Sequence, residues 1–192
     1  MPLVMKALNS LQILQKRSPD KKAIKPFKSG RIMETIGLGR CWEDMPAGFQ
    51  FKTVGRTITE TDLVNFVGNT GMVEVLFTDT LYARQHAPGG GRIVPAALLF
   101  SIAEGLTIQA TLQGTGLAFI QMELEVKGPS FTGDTIHVEA EVIESRPSSK
   151  DPNRGLVRTR NQIVNQKGET VIIYTPLRLM VGKALLKSHW EP

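Results

Sequence analysis

A short polar segment in the first half of the chain carries two side chains that could activate water together. Asn69 follows Gly68, and Glu74 comes five positions after Asn69. A carboxylate can take a proton from water, and an apolar pocket raises its pKa toward neutrality and makes it a better base. An amide does not exchange protons at neutral pH, but it can orient a water molecule. The pair predicts acid–base chemistry, or else a solvated connector without chemistry.

Other side chains with chemical potential lie downstream. Glu104 is placed in a strongly apolar segment, where a carboxylate needs either a pocket or a partner such as an arginine, because burying it bare is costly. We expect it to be a site residue or an ion-paired structural group. His86 could supply an imidazole, although a loop histidine is more often exposed, and Ser101 is expected to be a packing residue. No group of side chains predicts a metal site, and Cys41 is the single cysteine.

The elements that must position these residues begin with a helix. Thr59 is the expected N-cap and Asp62 completes a capping box, while Gly68 is expected to end the helix. Residues 69–79 then form a connector, and Asp79 caps a second, short helix.

A long helix and a series of strands follow. From Pro95 to about Leu112 the sequence is apolar on nearly every helical face, which is typical of a buried helix. One strand is expected before it and four after it, and Phe119, Met122, Leu124 and Val126 are expected to point inward. The predicted strands are 49–58, 117–126, 135–143, 156–165 and 170–180. A single buried helix followed by antiparallel strands predicts an α+β fold in which the sheet wraps around the helix.

Several short motifs occur in an order that resembles a known family. They are Gly68-Asn69, Phe77-Thr78-Asp79 with Tyr82-Ala83, Val94-Pro95-Ala96-Ala97-Leu98, Gly128-Pro129 with Gly133-Asp134-Thr135, and Asn165 to Glu169. Over about residues 40–182 this pattern resembles the MaoC-like dehydratases, or (R)-specific enoyl-CoA hydratases, which have the hot-dog fold. In that family an Asp and a His stand where this chain has Asn69 and Glu74.

The resemblance implies roles for particular residues. The family places water between its motif Asp and His, and it binds the thioester carbonyl at an N–H group where the central helix begins. Here that donor would be the backbone N–H of Ala96, and an alanine keeps the N–H group. Gly91, Val94 and Pro95 would line the substrate site beside it, and Glu104 would contact the pocket.

Arg92 follows the glycine-rich segment from His86 to Gly91, which is expected to be an exposed or ligand-facing loop. The loop fits no nucleotide-binding motif, because it lacks the strand–loop–helix context. Arg92 could still hold a phosphate of coenzyme A.

Charge divides the chain into a basic extension and a nearly neutral body. Residues 1–31 hold eight of the 23 basic side chains and one of the 18 acidic ones. We expect residues 1–31 to be an extension that is partly disordered, 32–183 to be the domain, and 184–192 to be a tail. The extension is interpreted as a solvated tail, an arm for a partner subunit or an acidic ligand, a presequence, or a nucleic-acid contact. The body has no basic stripe with aromatic residues, which disfavours nucleic-acid binding.

Three functions remain open at this point. The first is hydration or dehydration of an enoyl-CoA or 3-hydroxyacyl-CoA thioester, with Glu74 as acid and base. The second is a hot-dog thioesterase that uses Glu74 or Glu104, and the third is a non-catalytic acyl-CoA-binding protein. Each implies coenzyme A as part of the ligand, no separate cofactor and a homodimer or dimer-based oligomer. The absence of a long apolar run predicts no membrane span and, by default, a cytoplasmic protein.

Overall fold

The computed structural model describes residues 35–190, with side chains as far as residue 186. The predicted N-terminal extension at residues 1–31 lies outside the described residues. The helices are α1 (Glu60–Thr70), α2 (Val75–Thr78), α3 (Thr80–His86), α4 (Ala96–Thr107) and α5 (Lys183–Trp190). The strands are β1 (Gln50–Lys52), β2 (Arg56–Thr57), β3 (Gly116–Gln121), β4 (Leu124–Val126), β5 (Thr135–Pro147), β6 (Arg154–Val164), β7 (Thr170–Tyr174) and β8 (Leu177–Val181).

The sheet is antiparallel and is organised around its two long strands, β5 and β6. Its main path runs β1-β5-β6-β7-β4, while β2 also pairs with β5 and β8 lies between β6 and β3. Strands β7 and β8 are one strand interrupted at Thr175-Pro176, since proline cannot donate a ladder hydrogen bond. Strand β3 pairs with β8 and β4 pairs with β7, so the outer edge is interrupted at the same place.

The central helix α4 fills the concave face of this sheet. Its Leu98, Leu99 and Ile102 belong to one buried cluster with inward-facing sheet residues, which include Ile136, Val138, Ile163, Ile172 and Tyr174. Alternate residues of β5 are buried and exposed, as a strand with one covered face requires. The prediction of an α+β domain with an antiparallel sheet around a long helix is confirmed.

Helix α1 begins as predicted but ends later. Thr59 accepts a hydrogen bond from the Asp62 N–H, and the Asp62 carboxylate accepts one from the Thr59 N–H, which completes the capping box. The prediction that Gly68 ends the helix is wrong. The helix continues to Thr70, and Gly71 takes the left-handed conformation with φ +72°. Of these two glycines, the one farther along the chain is the cap.

Two predictions about strands are also wrong in detail. The segment 49–58 forms two short strands rather than one, and Val54 between them is exposed. Phe119, Leu124 and Val126 do not point into the core, because β3 and β4 form the edge of the sheet and are exposed along their whole length. The C-terminal segment predicted as a tail is helical as α5.

One face of the domain is apolar and uncovered. Phe119 and Ile120 are 48% and 52% exposed on opposite faces of β3, and the outer edge of this strand has no partner among residues 35–190. Helix α4 continues directly into a π-helical turn, Ile108–Leu112. Along the two, a stripe of side chains that includes Ala97, Ser101 and Ile108 is exposed beside β3. By contrast, the opposite edge of the sheet carries Lys52 and Arg56, and charges of this kind discourage edge pairing. The apolar edge at β3 is therefore the one suited to a partner.

Candidate functional site

The start of α4 is held firmly against the sheet. Val94 and Pro95 are buried, and the Val94 N–H donates to the Ser130 carbonyl oxygen at 2.8 Å. Pro95 occupies the N-cap position, and no side chain caps the helix. Proline presets a backbone geometry that suits the approach to a helix, but it offers no side-chain oxygen to the first turn.

Three backbone N–H groups are consequently unsatisfied at this helix end. The Leu99 N–H donates to Pro95 at 3.2 Å, whereas the N–H groups of Ala96, Ala97 and Leu98 donate to none of the described residues. Unpaired donors in a first helical turn lie at the positive end of the macrodipole. The predicted donor at Ala96 is thus an available N–H group in a setting that favours a developing oxyanion.

Asn69 lies in the last turn of α1 and is exposed. Its amide makes no hydrogen bond to the described residues, so it remains available for water or a ligand. Thr70, the next residue, instead returns its hydroxyl to the Phe66 carbonyl oxygen at 2.7 Å.

Glu74 has a local partner. It is the N-cap of α2, and its Oε2 accepts a hydrogen bond from the Leu76 N–H at 2.7 Å. The other carboxylate oxygen, Oε1, makes no hydrogen bond to the described residues, and the side chain is exposed. Asn69 and Glu74 are not hydrogen-bonded to each other. One oxygen of Glu74 is therefore held in place while the second is free to act on water.

Glu104 lies in an ion pair with Arg178 of β8. Arg178 Nη2 lies 2.6 Å from each of the two carboxylate oxygens, and the side chains are only 14% and 7% exposed. The guanidinium also lies over the Phe119 ring at 5.2 Å. The pair forms one wall of a groove of about 250 Å³ between the end of α4 and β3, where Ile108 and Leu117 supply apolar surface.

A group of polar side chains beneath this pair was not predicted from the sequence. Tyr174 is fully buried, and its hydroxyl lies 3.5 Å from Thr107 Oγ1. Burial, with the nearby Glu104 carboxylate, raises the pKa of Tyr174 to about 12, so it is a neutral phenol at physiological pH. Asn161 is also buried there, but its amide atoms meet hydrogen-bond geometry with none of the described residues. Only the alternation of β6 and β7 could have indicated that these side chains point inward.

Arg92 is ion-paired, and the loop before it is tightly packed. Arg92 Nε and Nη2 lie 2.9 and 2.8 Å from Glu60 Oε1. A Cβ atom at Gly91 would lie 2.6 Å from Cδ1 of Phe131, so only glycine fits at that position. Of the other candidates, His86 stacks on Tyr82 and is exposed. Ser101 is an exposed residue whose hydroxyl donates to the Ala97 carbonyl oxygen.

Comparison with known proteins gives a fold relationship. No protein-family model matches this sequence, and no curated protein does. Among solved structures, a MaoC-like dehydratase from Rhodospirillum rubrum is 26% identical with a TM-score of 0.65, over 76% of this chain and 99% of that one. A monoamine oxidase regulatory protein from Archaeoglobus is 28% identical with a TM-score of 0.66, over 76% and 97% of the two chains.

The chain has the hot-dog fold of the MaoC-like dehydratases. An (R)-hydratase from Pseudomonas aeruginosa shares this fold at 24% identity and a TM-score of 0.60, over 74% of this chain and 85% of that one. The resemblance noted in the sequence motifs is therefore confirmed at the level of fold and structural neighbours. Within residues 35–190, no helix is both long and apolar enough to cross a membrane.

The buried ion pair gives a prediction about stability. Replacing Arg178 with Met leaves the Glu104 carboxylate buried without a partner, which we expect to lower the free energy of unfolding by about 3 kcal/mol. The double variant Glu104→Leu/Arg178→Met should recover most of this loss, because no unpaired charge remains. Urea unfolding at one fixed protein concentration measures both. The exposed Arg160→Met is the control, and equal losses in the single and double variants would contradict the account.

Proposed function

We propose that this protein is a hydro-lyase that adds water to, or removes it from, an enoyl-CoA or 3-hydroxyacyl-CoA thioester. The observation that carries the proposal is the set of unpaired N–H groups at the start of α4, next to buried Val94 and Pro95. The fold shared with MaoC-like dehydratases and (R)-hydratases supports it.

The reaction assigns a task to each group. The thioester carbonyl oxygen accepts a hydrogen bond from the Ala96 N–H, and Gly91, Val94 and Pro95 line the approach. Glu74 takes a proton from water through its free Oε1 while the Asn69 amide orients that water. The oxygen of the water bonds to the β-carbon, and the electron pair of the double bond moves onto the thioester as an enolate. Glu74 then returns its proton to the α-carbon.

The contacts of Glu104 disfavour the thioesterase alternative at that residue. A water-activating carboxylate needs a free oxygen, and both oxygens of Glu104 lie 2.6 Å from Arg178 Nη2. Glu74 is the better base because one of its oxygens has no partner among the described residues.

A direct assay separates the three functions. Purified protein is mixed with crotonyl-CoA and with a branched enoyl-CoA, and enoyl absorbance and free thiol are followed together. We expect loss of absorbance without release of thiol. Released thiol would indicate a thioesterase. No change in either enoyl absorbance or free thiol, together with saturable binding of coenzyme A, would favour a binding protein.

The same assay tests the role of Glu74. Glu74→Gln should lower kcat by about 10²- to 10⁴-fold, because an amide cannot carry the proton. Glutamine still offers an oxygen to the Leu76 N–H, so the start of α2 is preserved. Glu141→Gln, on the exposed face of β5, is the matched control. Full activity in Glu74→Gln would contradict the proposed mechanism.

We further propose that two copies associate through the edge of the sheet at β3 and β4. This edge is unpaired among residues 35–190, and its β3 part is apolar on both faces. The exposed helical stripe that runs from Ala97 to Ile108 adjoins it, since Ile108 and Phe119 line one groove. A two-fold pairing of β3 edges would satisfy the free backbone groups and cover this surface in both copies.

Sedimentation velocity tests the association. The unaltered protein should sediment as a dimer, and Ile120→Lys should shift it toward the monomer, because the charge would be desolvated in the interface. Val54→Lys is the control, since Val54 is an exposed valine on the opposite side of the sheet order. A monomeric unaltered protein, or an unchanged dimer with Ile120→Lys, would refute this interface.

A further inference from the structure

A second cavity lies between α3 and the glycine-rich loop. Its volume is about 210 Å³, and its walls are formed by Thr80, Ala83 and Arg84 of α3 together with Gly90, Gly91 and Arg92. A water molecule accounts for about 30 Å³ of liquid volume, so the cavity is large enough for a tetrahedral anion. Two of its six wall residues are arginines, and no wall residue is acidic.

The two arginines carry more positive charge than the described residues neutralise. Glu60 pairs with Arg92 through a single carboxylate oxygen, Oε1. Arg84 is exposed and has no ion pair among residues 35–186. The cavity therefore retains net positive charge, which favours an anionic ligand.

Arg92 also has hydrogen-bond capacity that the protein leaves unused. Its side chain is 17% exposed, and its Nη1 atom is sealed from solvent without a hydrogen-bond partner. Buried charged donors are rarely left unpaired, because the desolvation cost is large. The backbone N–H groups of Gly91 and Arg92 likewise donate to none of the described residues. A small adjustment on binding would let an oxyanion accept from these donors.

The loop that carries Arg92 is rigid, so the arginine is preorganised. The Thr132 N–H donates to the Arg92 carbonyl oxygen at 3.0 Å, and the Phe131 ring fills the space that a Cβ at Gly91 would need. Gly89 and Gly90 both have positive φ, at +76° and +63°, which glycine adopts without strain. Arg92 thus enters binding with little conformational entropy left to lose.

Arg92 of the cavity is close in sequence to Ala96, the proposed thioester donor. Ala96 is four positions after Arg92, so their Cα atoms lie within about 14 Å of each other. Coenzyme A carries its phosphates at the far end of a pantetheine arm that can bridge this span. We infer that Arg84 and Arg92 form a binding site for a phosphate group of the coenzyme A moiety. This inference rests on the proposed acyl-CoA ligand and identifies which part of it the cavity takes.

Titration calorimetry tests the site without requiring turnover. The probes are coenzyme A, dephospho-coenzyme A, pantetheine and inorganic phosphate, each added to the full-length protein. Arg84→Gln and Arg92→Lys should each weaken coenzyme A binding by about tenfold or more, because the first removes a charge and the second removes the forked guanidinium donors. Arg160→Gln is the matched control, since Arg160 is exposed on β6 and has no ion pair among the described residues. Pantetheine should bind all four proteins equally.

The outcomes separate this site from the proposed reaction. If the unaltered protein binds dephospho-coenzyme A more weakly than coenzyme A, the cavity takes the 3′-phosphate. If it binds the two equally, the cavity takes the diphosphate, and either result supports the inference. Unchanged affinity for coenzyme A in Arg84→Gln and Arg92→Lys, with melting curves like the unaltered protein, would overturn it. Inorganic phosphate that binds as tightly as coenzyme A would overturn the assignment to that moiety. Arginine-dependent binding without turnover of enoyl-CoA would leave the site standing and reject the hydro-lyase.

Discussion

The first turn of the central helix is the constraint on which the rest of the site depends. Pro95 is buried at the N-cap and provides no capping oxygen, so the N–H groups of Ala96, Ala97 and Leu98 have no partner among the described residues. Leu99 and Ile102 are packed in the core about one turn away, so the orientation of these backbone N–H groups is fixed. An oxyanion is the ligand that such a rigid, positive helix end binds best.

The Glu104–Arg178 pair resolves a conflict within the same helix. A carboxylate in the middle of α4 would be costly if it were bare, and Arg178 of β8 neutralises it with a contact to both oxygens. Phe119 then covers the guanidinium from the edge strand. The ion pair therefore links α4, β8 and the edge strand β3 at the groove beside the proposed interface.

The sequence was most informative where local physics determines structure. The capping box at Thr59 and the apolar helix α4 were predictable, because one depends on neighbouring residues and the other on a long apolar run. Strand β3 was predicted to point inward because Phe119 and its neighbours are apolar. Apolar character does not distinguish a core position from an edge that a second copy could cover, and this ambiguity explains the error. The end of α1 was misplaced because Gly68 and Gly71 both suit a helix terminus.

The candidate site was only partly predictable, for a similar reason. The family resemblance made Asn69, Glu74 and Ala96 candidates, but it did not indicate that Glu74 also caps α2. The partner of Glu104 lies 74 positions away, and the ion pair between Glu60 and Arg92 spans 32, so neither is a local signal. Pairings of this kind follow from strand order and helix placement, which a single sequence does not specify.

A crystal structure with a bound, slowly reacting 3-hydroxyacyl-CoA analogue tests the central claim most directly. We expect the thioester oxygen to lie within hydrogen-bonding distance of the Ala96 N–H and the β-carbon to face Oε1 of Glu74. A thioester bound in the groove beside Glu104 and Arg178, with the start of α4 empty, would contradict it.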